Sequence, residues 1–277
     1  MNREQILATP SMPLASPSYP HGPFRFVNRE YFIVAYESDP DAIREAVPEP
    51  LVPDPSNTVY YEWIRMPDSS GFGDYTETGQ VIPCHLDGKP CSFTVQMFLD
   101  DEPPIAAGRE IWGFPKKHAH PKLGVVHDTL TGTLHYAGER VALGTMAYKH
   151  EPHVRDVRKT HDALSKLQVN LKLIPDVDGK PAIAQLVGYH LTEIHVKGSW
   201  TGPCRLHLVP HVNAPVADLP VKKILGGRHH SADLTRPYGF VLHDYRKYYQ
   251  AQEIVTRGAP NPLSCTVGEG GTREAGG

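Results

Sequence analysis

Thr131-Gly-Thr-Leu-His-Tyr-Ala137 and Arg140-Val-Ala-Leu-Gly-Thr-Met-Ala-Tyr148 flank a Gly138-Glu139 pair, and this stretch sets the fold class. Two strand-like runs on either side of a short glycine turn read as a β-hairpin. Similar runs recur on both sides of it. Residues 92–99 alternate, which predicts Phe93, Val95, Met97 and Leu99 on one face. Residues 26–36, 57–66, 168–174, 182–197, 204–210 and 237–248 also read as strands. Helices are few. Residues 38–47 form one, with Asp39 able to cap it, Pro40 suited to its first turn and Pro48 ending it. Residues 156–167 and 217–225 read as two more, 67–79 as a polar loop, and 1–24 as a proline- and serine-rich irregular arm. Many short strands with few helices predict a mainly β (α+β) single domain. Its expected form is a closed antiparallel β-barrel-like fold with a few peripheral helices. The glycine-rich end, within 251–277, is expected to be a disordered tail.

The bulk composition excludes several functions. Lys and Arg total 28 against 31 Asp and Glu, a net charge of -3, and no basic run exceeds two residues. A nucleic-acid or anionic-membrane binder would need basic patches that this chain lacks. No segment approaches the ~20 apolar residues of a membrane helix, and the first twenty residues have no secretory apolar core. Cys84, Cys91, Cys204 and Cys265 show no CxxC spacing, so free thiols in a reducing cytoplasm are expected. Gly71-Phe-Gly-Asp-Tyr-Thr76 lacks the third glycine of a dinucleotide fingerprint. His118, His120, His229 and His230 fall in no zinc-ligand pattern, and no GxSxG motif is present.

Chemistry concentrates in Ile105–Lys122, where Ile111, Trp112, Phe114 and Pro115 lead into Lys116 and Lys117. A lysine pair by itself is ordinary surface charge. Anchored beside apolar residues, however, an amine loses solvation, its pKa falls, and it becomes a neutral nucleophile.

Gly108-Arg-Glu110, Phe114-Pro-Lys-Lys117, Gly22-Pro-Phe24, Asn28-Arg-Glu-Tyr-Phe32, Val47-Pro-Glu-Pro-Leu51 and Tyr75-Thr-Glu-Thr-Gly-Gln80 together resemble the acetoacetate decarboxylase family. Tyr148-Lys-His150, Leu173-Ile-Pro175, Trp200-Thr-Gly-Pro203 and Leu219-Pro-Val-Lys-Lys223 extend the likeness, in matching order, from about residue 10 to 248. The resemblance implies a family-like domain over 1–250, with Lys116 as the Schiff-base lysine and Lys117 as its neighbour. Arg29, Glu62 and Glu77 fall on the family's other functional polar positions. It further implies decarboxylation of acetoacetate to acetone and carbon dioxide without metal or organic cofactor. The implied partners are a small keto acid and further copies of the chain, in a large homo-oligomer such as a dodecamer. Choosing Lys116 over Lys117 rests on the resemblance alone.

The physics of the residues adds expectations of its own. A cationic neighbour is one of two causes that can activate such a lysine, as in the acetoacetate decarboxylase family. Adjacent residues of an extended segment point to opposite faces, however. At ~10 Å and an effective dielectric of ~20, repulsion from Lys117 is worth only about 1.7 kcal/mol. Burial of a lysine supplies up to ~3–5 pKa units, so desolvation is expected to dominate. Alternation places Glu62 with Tyr60, Ile64 and Met66, and its expected partner is Arg29. A tight arginine clamp on the departing carboxylate would oppose its loss. Arg29 is therefore expected to be held by Glu62 or Glu77, with Glu77 closest to substrate and imine. Two other readings stay open: a relative using the same lysine for aldol or dehydration chemistry, and a non-catalytic binding barrel. The first would be expected to alter Arg29, Glu62 or Glu77, which this chain retains.

Overall fold

A computed structural model describes residues 1–152 and 157–247. The expected tail at 251–277, and Cys265 within it, lie outside the described residues. The central feature is a large twisted sheet. Its strands run in the spatial order Glu151–Pro152, Thr192–Gly202, Lys223–Arg236, Phe24–Glu37, Thr58–Met66, Tyr75–Leu86, Lys89–Leu99, Leu167–Pro175, Pro181–Tyr189 and Phe240–Asp244. A second sheet contains Cys204–Leu208, Glu139–Ala147, Thr129–Tyr136 and His120–Val126, with the opening hairpin at its centre.

The expectation of a closed antiparallel barrel is corrected. The Glu151–Pro152 and Phe240–Asp244 ends of the large sheet do not pair with one another. Pairing is antiparallel except along Lys89–Leu99, which takes two parallel partners on one edge. Leu167–Val169 pairs with Cys91–Phe93, and Lys116–His118 pairs with Met97–Leu99.

Period-two alternation sorts the large sheet into two apolar faces. On one, Phe32, Val34, Tyr61 and Trp63 pack against Leu123, Leu130, Leu134, Val141 and Met146 of the second sheet. Gly132 and Gly144 make the slot for the Trp63 indole, because a Cβ on either would lie 2.3 or 2.4 Å from the ring. The other face carries Phe24, Phe26, Tyr31, Ile64, Met66, Met97, Leu99, Trp112 and Phe114.

Two β-bulges reset the alternation. Asn28 adopts φ 55°, and the register shifts between Phe26 and Arg29. The extra residue brings Arg29 and Tyr31 onto the same face as Phe24 and Phe26. A second shift leaves Val95 unpaired between Thr94 and Gln96. Phe93 therefore joins the first cluster while Met97 and Leu99 join the second. The single face expected for residues 92–99 is split by that bulge.

Three further expectations are revised. Residues 75–79 are strand rather than loop, since Tyr75–Leu86 pairs along both edges. The 182–197 run breaks at His190 and Leu191 into two strands. Residues 217–225 do not form a helix. The Pro215 and Val216 carbonyls accept hydrogen bonds from Gln96 and Gln80, and Lys222 N–H already donates to the Glu37 carbonyl as the next strand begins.

Candidate active site

The chain reaches Lys116 through a built turn. Asp101 caps the helix Glu102–Ala107 by accepting the Glu102 N–H, and the helix widens into a π-turn over Gly108–Trp112. Gly113, at φ 75°, ends it. A Cβ there would sit 2.5 Å from the Lys172 backbone, so the tight approach also demands glycine. Phe114 and Pro115 then lead into the Lys116–His118 strand. Arg109 Nη1 donates to the Lys116 carbonyl at 3.1 Å and fixes the backbone.

The Lys116 side chain runs back under this turn and is 1% exposed. Its Nζ donates to the Pro104 carbonyl at 3.1 Å and forms an ion pair with Glu77 Oε2, also at 3.1 Å. The Phe114 ring centroid lies 5.1 Å away and that of Tyr75 5.8 Å. Room for the side chain depends on Gly108, whose Cβ would stand 2.6 Å from Lys116 Cδ and 2.9 Å from Cε.

Glu77, fully buried, faces Arg29 as well, with Nη2 to Oε1 at 3.2 Å. Arg29 in turn lies over the rings of Tyr31 at 4.8 Å and Phe26 at 5.2 Å. These groups head a cavity of about 450 Å³. Glu62, Ile64, Met97, Tyr189, His230 and Arg236 line it further, and Thr160 and Leu164 of the helix Val157–Leu164 contribute from another side. Lys116 itself sits immediately behind Glu77 and Phe114 rather than on the cavity wall.

Electrostatics follow from this burial. Loss of solvation is the largest influence on Lys116 and pushes its amine down to about 8; Glu77 opposes that shift while Arg236 and Arg29 reinforce it. The bias toward the neutral amine is roughly 3 kcal/mol. Burial likewise opposes ionisation of Glu77, but Lys116, Arg29 and Arg236 together hold its carboxyl below the usual range. Glu62 is pushed up to about 7, chiefly by burial, with Arg29 opposing and Glu77 adding to the rise. Glu62 is half-buried and lines the cavity.

The structure therefore brings together Arg29, Glu77 and Lys116 in contact, with Glu62 on the same cavity. It does not bring in Lys117. Pairing of Met97 with Lys116 and Phe98 with Lys117 turns the two lysines to opposite faces. Lys117 is exposed, donates to the Asn213 carbonyl at 2.5 Å and lies over Tyr136. The expected Glu62 to Arg29 ion pair is also corrected: Arg29 pairs with Glu77 instead. Sequence reading gave no role to Arg236, His230, Tyr75 or Gly108, although Tyr75 and Gly108 lay in motifs already singled out.

A family model described as acetoacetate decarboxylase matches residues 11–246. The chain belongs to the acetoacetate decarboxylase family. A relative from Acidiphilium cryptum (strain JF-5), named acetoacetate decarboxylase, is 55% identical over 235 residues, covering 85% of this chain and 95% of its own. A crystal structure of acetoacetate decarboxylase from Legionella pneumophila is 49% identical with a TM-score of 0.82, covering 87% of this chain and 96% of that one. Another solved acetoacetate decarboxylase is 44% identical with a TM-score of 0.85, over 88% and 99% of the two chains. Within this acetoacetate decarboxylase family member, the Gly108-Arg-Glu110 and Phe114-Pro-Lys-Lys117 motifs meet at one place. Gly108 yields space to the Lys116 stem, and Arg109 grips its carbonyl. Among the described residues, no helix is long and apolar enough to cross a membrane.

Proposed function

We propose that this chain decarboxylates acetoacetate to acetone and carbon dioxide through a Schiff base on Lys116. One observation carries the reading: a buried lysine with its amine down to about 8 lies 3.1 Å from a buried carboxylate at the head of a cavity. The neutral amine attacks the keto carbon, and with one proton taken up by the adduct, water leaves to give a protonated imine. The imine accepts the electron pair as the carbon–carbon bond to the carboxylate breaks. The enamine takes a proton on carbon, and hydrolysis returns acetone and the free amine.

Glu77 holds the amine in the resting site, so attack requires that ion pair to open. The same carboxylate is then placed to relay protons during addition and dehydration. Arg29, paired to the other Glu77 oxygen, keeps it oriented. Glu62, with its carboxyl near 7, carries an exchangeable proton on the cavity wall at neutral pH. Lys117 has no direct step in this scheme. Assembly as a homo-oligomer in the cytoplasm belongs to the same reading, supported by the family likeness alone.

Borohydride reduction in the presence of acetoacetate, followed by mass mapping, tests site and reaction together. The expected result is a reduced adduct on Lys116, carbon dioxide release by the untreated protein, and neither in Lys116→Met. An adduct without carbon dioxide would favour aldol or dehydration chemistry. Absence of any adduct would favour a binding barrel.

A further inference from the structure

Arg236 ends the strand Lys223–Arg236, opposite Phe24, and is 2% exposed. Aromatic rings enclose its guanidinium: the centroids of Phe114, Phe26, Trp112 and Tyr189 lie 4.9, 5.1, 5.7 and 5.7 Å from its central carbon. Its side chain forms no hydrogen bond or ion pair with another described residue, and Nε is buried without a partner. A guanidinium cannot shed its proton in a protein. Glu77 feels this charge from a distance but spends its contacts on Arg29 and Lys116; a buried charge with no contacting counter-ion is unfavourable, and ring faces offset only part of that. What remains uncovered opens on the cavity, where Arg236 is a lining residue.

Arg29 lines the same cavity, but its charge is already answered by Glu77 at 3.2 Å. With Lys116 neutral, Arg29 and Arg236 bring two positive charges against the Glu77 carboxylate and a Glu62 that is protonated part of the time. The site has room, electrostatically, for one more anion. Lys116 Nζ and the Arg236 guanidinium flank the same Phe114 ring, which places them within about 10 Å of each other. A 3-oxo acid joined at its keto carbon to an amine and at its carboxylate to a guanidinium spans roughly 8 Å.

We propose that Arg236 recognises the substrate carboxylate and aims the keto carbon of a 3-oxo monocarboxylate at Lys116, while Arg29 serves Glu77. This assignment rests on the Schiff-base reading for the reaction and goes beyond it in naming the anion-binding group. Because the rings cover its faces, only an edge of the guanidinium meets the carboxylate. The contact weakens as carbon dioxide leaves, so its loss is felt in KM rather than kcat. Ketones and esters without a free carboxylate would not use it.

The test compares wild type, Arg236→Gln and Arg236→Lys with three probes. Calorimetric titration with butyrate reads carboxylate binding without any chemistry. Reaction with 2,4-pentanedione, a neutral diketone that condenses with an amine to an absorbing enaminone, reads the lysine alone. Steady-state kinetics on the pH plateau supplies KM and kcat for acetoacetate. In Arg236→Gln, butyrate affinity is expected to fall about 10- to 100-fold, with a smaller loss in Arg236→Lys. Enaminone should still form, and the KM for acetoacetate should rise by a similar factor with kcat within about threefold. Unchanged butyrate affinity in a folded Arg236→Gln overturns the proposal. So does a defect confined to a higher midpoint in the pH profile, which would make Arg236 a tuner of Lys116. If the glutamine variant does not fold, the lysine variant decides the same comparison. A wild type that forms no enaminone and releases no carbon dioxide removes the Schiff-base reading, yet butyrate titration still tests Arg236.

Discussion

Lys116 and Lys117 share a peptide bond and almost nothing else. One amine is enclosed by Pro104, Glu77 and Phe114; the other reaches into solvent and rests on Asn213 and Tyr136. Removal of solvent, rather than the adjacent charge, is what depresses the Lys116 amine, with Arg236 and Arg29 as the cations that add to it. Lys117→Met should therefore leave the midpoint of the pH profile within about 0.3 of the wild-type value. Borohydride trapping measured across pH checks this. Below about 8 the trapping rate should fall tenfold per pH unit as the neutral amine is lost, and above it should level off. Gly108→Ala is a sharper probe of position. Its φ of -59° and ψ of -47° suit alanine, so the backbone should tolerate the change. The new Cβ, 2.6 Å from Lys116 Cδ, forces the lysine stem aside. Trapping and turnover should drop by about 100-fold with the melting temperature little changed.

At the level of elements, the sheet works because its two faces do different things. Trp63, stacked on Phe32 at 5.3 Å, locks the second sheet in place, while Glu62 and Ile64 beside it look into the cavity. Gly144→Val fills the indole slot, where even a Cβ would lie 2.4 Å from Trp63. Urea unfolding should show a loss of about 1–3 kcal/mol, with Lys116 trapping unchanged in the folded fraction. The alternating pattern made most of these strands legible in the sequence, including the hairpin and the Glu62 strand. Bulges escaped it. One inserted residue at Asn28 or Val95 alters no composition, yet it exchanges the faces of everything beyond it. The start of the Glu77 strand was hidden because Gly71-Phe-Gly-Asp74 and Gly79 carry turn chemistry. Arg29, Glu62, Glu77 and Lys116 could be named only through their motifs. Arg236 gave no signal, since an arginine before Pro237 in a polar run reads as surface.

Across the whole molecule, buried ionisable groups tie stability to pH. Burial is the main cause that pushes the His230 ring down to about 3, with His229, Arg228 and Arg29 adding to it. The ring lies stacked on Tyr31 at 4.4 Å. An unfolded histidine titrates near 6.5, so the unfolded chain takes up a proton that the fold refuses. This contribution is complete above 6.5 and is lost as the pH falls toward 3. Glu62 acts in the opposite sense: its raised carboxyl favours the fold below about 4.5, and that advantage disappears as the pH rises through 7. The two offset each other between about 4.5 and 6.5, so melting temperature should be nearly level there and fall more steeply in stronger acid. His230→Phe should soften that acid fall, as scanning calorimetry over pH 3–7 would show. The opposed lysines also have a consequence for anyone mapping reactive amines on the intact protein. A bulky acylating reagent meets the surface, so it tags Lys117 and its exposed neighbours and passes over the more nucleophilic nitrogen one residue away. Only a probe small enough to enter the cavity and part Glu77 from its lysine would report the amine that matters, and a catalogue built on labelling intensity would rank the pair in the wrong order.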